Sequence, residues 1–188
     1  MKQIIKLFTI CVFFALFTVT VSAQSKEEMK ALKKEMKALS KEGWKVNPGN
    51  LPLQEQVAES RKILKNQEKW VVGEAKSSGT VYDAARSNAL FQAKVNLAKN
   101  VDEEFGGKEQ GGTGQDNGSE NSASATTYRE SAKSKFASAV KRPKILMDCY
   151  RDLKGGRVEV MIRIAMSADE AEKSYQKIID EINEMLKK

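Results

Sequence analysis

The stretch Trp70–Val101, WVVGEAKSSGTVYDAARSNALFQAKVNLAKNV, constrains the fold most, because it reads as a short strand feeding a long alanine-rich helix. Trp70, Val71 and Val72 favour a strand, and Ser77-Ser78-Gly79 marks the turn that closes it. Gly73 lies inside that strand, where a glycine weakens the ladder unless another backbone must come close. Ala85, Ala89 and Ala93 recur every four residues and give the helix a shallow ridge that can sit low on a sheet. Leu90, Phe91, Val95, Leu97 and Val101 flank the ridge, leaving Asp83, Ser87 and Lys94 as a narrow polar side; a mostly buried helix is expected.

Two further segments supply partners for this unit. Lys144–Asp152 and Arg157–Met166 flank Leu153-Lys154-Gly155-Gly156, whose glycines can take positive φ, so the pair is expected to form a β-hairpin. In the second strand Val158, Val160, Ile162, Ile164 and Met166 alternate with Arg157, Glu159, Met161, Arg163 and Ala165, which predicts one core face and one largely wet face. Ser167-Ala168-Asp169-Glu170 reads as a capping box opening a last helix, with Ala171, Tyr175, Ile178, Ile179, Ile182, Met185 and Leu186 on its apolar face.

Between these units, Tyr128–Val140 is expected to be helical through Ala132, Phe136 and Val140, with Pro143 ending it. Residues 105–127 carry six glycines among polar residues and are expected to be a flexible loop. No Gly-Lys-Ser/Thr follows, and Asn117 stands where a dinucleotide fingerprint needs a third glycine, so no phosphate-binding loop is read there.

Upstream, EMKALKK and EMKALSK place Met29, Leu32, Met36 and Leu39 on one seam of a helix over Glu28–Lys41, which Gly43 stops. Two heptads are too few to stand alone, so the seam is expected to lie on its own domain or on a partner. Trp44–Asn50 is a connector anchored by Trp44, and a second helix is expected from Leu53 to about Glu68 through Leu53, Val57, Ile63 and Leu64.

Lys2 and Lys6 precede an apolar run, Leu7–Val21, and Val21-Ser22-Ala23 offers small residues for cleavage: a secretory signal peptide over residues 1–23 is expected, with retention as a membrane anchor the alternative. Residues 24–69 then form a helical extension and connector, and residues 70–188 an α+β domain. That domain is expected to hold a small, mainly antiparallel three-stranded sheet with helices on one side, built as strand, long helix, flexible loop 105–127, short helix, hairpin and C-terminal helix.

Cleavage removes Cys11 and leaves Cys149, which Ile145 and Met147 place on an apolar strand face as a small buried hydrophobe. It also removes two of 32 basic residues against 25 acidic ones, so the exported chain carries +5. Charges of both signs interleave, as on a solvated surface; an anionic partner outside the cell would be a lipid headgroup or glycan, and nucleic acid is not expected.

The chain has no histidine, which removes Cys-His and Ser-His pairs and imidazole metal ligation. Glu103-Glu104 and Asp169-Glu170 read as helix-end solvation and capping. A Ser-Lys dyad stays open, because no spacing singles one out. No catalytic, cofactor-binding or metal-ligating residue is therefore assigned, and no cofactor is expected.

GEAKSSGTVYDAARSNALFQAKVNLAKNV followed by ILMDCYRDLKGGRVEVMIRIAMS resembles the LPP-twenty-type lipoprotein domain, itself similar to the N-terminal domain of the flagellar outer-membrane-associated protein FlgT. Gly73 and Ala75 in the strand, Ala84, Ala85, Ala89 and Ala93 in the helix, and Tyr150-Arg151-Asp152 in the hairpin carry the resemblance, and KEGWKVNPGNLPLQEQV is similar to a connector in exported proteins of the Bacteroides group. The resemblance implies a periplasmic or outer-membrane-associated accessory module, without enzymatic activity and without catalytic residues to carry over. No cysteine stands at the cleavage site, so soluble export is expected in place of lipid anchoring. Three functions follow as expectations: a module contacting an envelope protein or a second copy through an edge strand, the N-terminal helix or the alanine-lined helix; a binder of an anionic envelope component through Arg157 and Arg163; and, more remotely, a hydrolase with a Ser-Lys or carboxylate site.

Overall fold

Alternating branched side chains make Arg157–Ser167 the natural middle of a sheet, and in the computed structural model it is the central strand of three. The structure describes residues 26–106 and 119–186, with 119–126 as backbone only. The expected signal peptide and most of the expected glycine-rich loop lie outside these residues. The chain divides into two units, Met1–Lys41 and Glu42–Lys188.

In the first unit a helix, α1, spans residues 26–41. Just beyond it Gly43 takes φ 82°, a left-handed stop that a Cβ would oppose. In the second unit the order is α2 (Leu53–Leu64), a single 3-10 turn, β1 (Trp70–Gly79), α3 (Tyr82–Phe105), α4 (Ser119–Ala139), β2 (Lys144–Leu153), β3 (Arg157–Ser167) and α5 (Ala168–Leu186). The protein is α+β, with an antiparallel sheet in the order β1-β3-β2. Register runs from Trp70↔Ser167 to Gly79↔Val158 on one side of β3 and from Lys144↔Ala165 to Leu153↔Arg157 on the other. Gly155 and Gly156 turn the hairpin with φ of 76° and 70°.

One sheet face carries the main core. Val160, Ile162 and Ile164 are fully buried there with Ala85, Ala89, Ala93 and Leu97 of α3, Phe136 of α4 and Tyr175 of α5. The rings of Phe136 and Tyr175 meet edge to face at 6.0 Å. Asp102 ties three helices together: it accepts from Tyr175 Oη at 2.5 Å and pairs with Arg129 at 3.2 Å.

The other face is not wet, which corrects the reading of β3 and of helices on one side only. Met161, Ala165, Met147 and Cys149 are buried on it, and α2 covers it with Val57, Ser60 and Ile63. A bulge between Ile145 and Met147 lets Leu146 join Ile63 and Ala165 in a second small cluster. Arg163 survives there because Glu74, opposite it in register, accepts from its Nε at 2.6 Å. A paired charge can be covered where a lone one cannot. Trp44 closes the same face, with Arg151 and Lys76 at 4.8 and 5.4 Å from its ring centroid.

Two further expectations are corrected. α3 is half exposed: Phe91 is 56% and Val95 37% accessible, since only the alanine side and its Leu97–Val101 continuation meet the sheet. α4 begins at Ser119, nine residues before the expected start, because an Ala- and Ser-rich run without proline can propagate a helix that packing has nucleated. Phe105 is the last residue of α3, so residues 105 and 119–127 of the expected loop are helical. At the end of α5, Met185 is exposed and the side chain of Leu186 lies outside the described set.

Candidate functional site

A concave surface of the second unit arises where β2 leaves the protection of its neighbours. β2 is an edge strand, and an unpaired edge is a template for association unless something blocks it. Two groups do so. Lys45 exchanges backbone hydrogen bonds with Tyr150, at 2.7 Å from its amide and 2.8 Å to its carbonyl. Gln56 of α2 accepts from the Asp148 amide at 2.7 Å and donates to the Leu51 carbonyl at 2.7 Å. β1, the opposite edge, is bridged by α3: Asn96 donates to the Glu74 carbonyl and Asn100 to the Val72 carbonyl, both at 2.7 Å.

Beside the blocked part of β2 a groove of about 560 Å³ opens between residues 49–51, α2 and the first half of β2. Leu51 and Ile145, 62% and 45% exposed, give it apolar walls. Arg86 of α3 reaches it and donates through Nε and one terminal nitrogen to Asp148, at 2.8 and 2.6 Å. The Tyr82 hydroxyl lies 3.5 Å from the same carboxylate. Burial raises the Tyr82 pKa, with a smaller push from Asp148, so the phenol keeps its proton. On the other wall Lys144 donates to Glu59 at 2.6 Å, a hydrogen bond that lowers the Glu59 pKa. The groove thus joins apolar side chains to two ion pairs and to the exposed carboxylate of Glu55. That chemistry can bind and orient a ligand.

The residues singled out in the sequence do not gather here. Cys149 is fully buried on the α2 side of β2, and burial drives its thiol up to about 12, so it is not a thiolate at neutral pH. Glu103 is exposed and 3.7 Å from Lys99, while Asp169 and Glu170 lie exposed in the first turn of α5. The capping box is half formed, through a 3.4 Å contact from the Glu170 amide to Ser167 Oγ. Arg157 donates to Ser78 of β1, and Arg163 to Glu74 of β1 and Ser60 of α2, so both arginines of the expected anionic-ligand face are engaged by neighbouring side chains. Among the described residues no group of three or more Cys, Asp or Glu side chains could hold a metal ion.

The groove residues were invisible in the sequence as a set. Leu51, Gln56, Arg86, Ile145 and Asp148 come from separate segments and meet only through the tertiary fold. A buried glutamine in α2 was the nearest signal, since a buried amide must find partners. Among the described residues no helix is long and apolar enough to cross a membrane. Comparison of the chain with protein-family models, with curated proteins and with solved structures gives no match.

Proposed function

We propose that this chain is a non-enzymatic accessory module of the cell envelope, exported to the periplasm or the outer-membrane surface, and that it binds a segment of another protein in the groove beside β2. One observation carries the reading: Leu51 and Ile145 are exposed and line a groove in which Arg86 pairs with Asp148 and Lys144 with Glu59, while the Glu55 carboxylate lies exposed. Such a surface suits a peptide, which brings an apolar side chain and backbone polar groups together. Export is supported by the apolar run Leu7–Val21 and the small residues up to Ala23. The resemblance to the LPP-twenty-type domain guides the choice of compartment.

A photo-crosslinking side chain at position 51 or 145, introduced in the producing cell, tests this. Discrete higher-mass adducts from these positions, absent from Lys173 and Lys177 on α5, are expected. Monomer alone at all four positions, or the same adducts from α5, would overturn the reading.

A further inference from the structure

Charge in the first unit is sorted in a way that the interleaved charges of the rest of the chain are not. Residues 26–41 hold six lysines against three glutamates, a net +3 from sixteen residues. With 3.6 residues per turn, Lys26, Lys30, Lys33, Lys34, Lys37 and Lys41 fall within an arc of about 100°. All six are exposed. Glu27 lies at one edge of that arc, about 20° beyond Lys34, while Glu28 and Glu35 lie on the far flank, beyond the row of Met29, Leu32, Met36 and Leu39. At 1.5 Å per residue the lysine row extends about 22 Å.

We infer that α1 is an electrostatic docking face for an anionic phospholipid bilayer. Shape is the first argument. A helix with its six lysines within one arc can lay them on a plane at once, whereas a compact anion would meet two or three. Residue type is the second. Lysine is a point charge on a flexible stem and suits mobile headgroups. The third is Met29, 53% exposed at the border of the lysine arc, which can enter the interfacial layer while the lysines hold the headgroups. This inference goes beyond the protein-binding reading and stands without it, because no groove residue takes part.

The test uses the protein in the form that the producing cell accumulates, sedimented with vesicles of phosphatidylcholine alone or with about 30% phosphatidylglycerol. The readout is the ratio of binding to the two vesicles, which a retained apolar leader would not mimic. A preference of about tenfold or more for the anionic vesicles is expected, falling steeply between about 50 and about 500 mM salt. K30Q, K33Q, K37Q and K41Q combined should abolish the preference, and the same four positions as arginine should keep it. K69Q, K154Q, K173Q and K177Q combined, which removes as much charge from the second unit, should change it less than about twofold. Equal binding to both vesicles overturns the inference. So does a loss matched by the second-unit variant, a loss with arginine at the four positions, or binding to soluble heparin without any vesicle preference.

Discussion

Gly73 lies directly against the backbone of α3 at Ala93. A Cβ added to it would fall 2.6 Å from the Leu97 amide nitrogen and 2.7 Å from Leu97 Cβ, and closer still to the Ala93 carbonyl oxygen. Neither backbone can yield without separating the helix from the sheet, since Ala89, Ala93 and Leu97 have no accessible surface. Gly73→Ala should therefore destabilise the protein by about 3 kcal/mol, seen as a lower urea midpoint at unchanged slope. Gly79→Ala is the control: its methyl would meet Ala85 Cβ at 3.6 Å, an ordinary contact, and should cost less than about 1 kcal/mol. Equal costs would show that the close approach is not what Gly73 provides.

Arg86 and Asp148 make a second asymmetric prediction. The Asp148 side chain is 6% exposed, and Arg86 supplies its principal charged partner. Removing the cation alone strands a covered carboxylate, so Arg86→Ala should cost about 3 kcal/mol. Arg86→Met should cost a similar amount, and removing both charges in similar shapes, as Arg86→Met with Asp148→Asn, should cost less than Arg86→Met alone. Denaturant titrations of the four corners of this cycle check the ordering.

What was legible in the sequence follows from how each element is stabilised. Gly73 with Ala85, Ala89 and Ala93 announced the helix-on-sheet contact because only missing side chains permit it, and the alternation in β3 with the Gly155-Gly156 turn announced the hairpin. The second sheet face was misread for an equally physical reason. Arg163 and Glu159 interrupt Met161 and Ala165, and a pattern of single residues cannot show that Glu74 and Arg151 will neutralise those charges under α2 and Trp44. Gln56 and Ser60 were passed over for the same cause, being polar groups whose partners lie 92 and 103 residues away.

Asn96 and Asn100 give a prediction about the β1 edge. Each spends its amide on an outward carbonyl of β1, at 2.7 Å. Asn96→Ala with Asn100→Ala should lower stability by about 2 kcal/mol in sum, at about 1 kcal/mol for each lost hydrogen bond. The uncovered edge should also promote association, because free strand carbonyls accept from another chain. Light scattering across a concentration series should show mass rising for the variant and constant for the parent. A variant that loses stability without associating would assign these side chains to holding α3 alone.

Cys149 makes stability depend on alkaline pH. Burial is the main cause that raises its pKa to about 12, with Asp148 and Glu74 pushing the same way. In the unfolded chain a thiol ionises near about 8.5. The folded value is the higher one, so the stabilisation is complete below about 8.5 and is lost as pH climbs toward about 12, where the unfolded chain releases a proton that the native chain retains. Stability should fall by up to about 1.4 kcal/mol per pH unit from this group alone. Tyr175, raised by burial and by its hydrogen bond to Asp102, adds a slope of its own above about pH 10. Because Tyr175 is present in both, the difference between the parent and Cys149→Ala isolates the thiol: the variant should lose the descent between about pH 9 and 10 and descend less steeply beyond it. Parallel curves from urea titrations across this range would mean that the thiol meets water in the folded state, and α2 would then not seal the face of the sheet it covers.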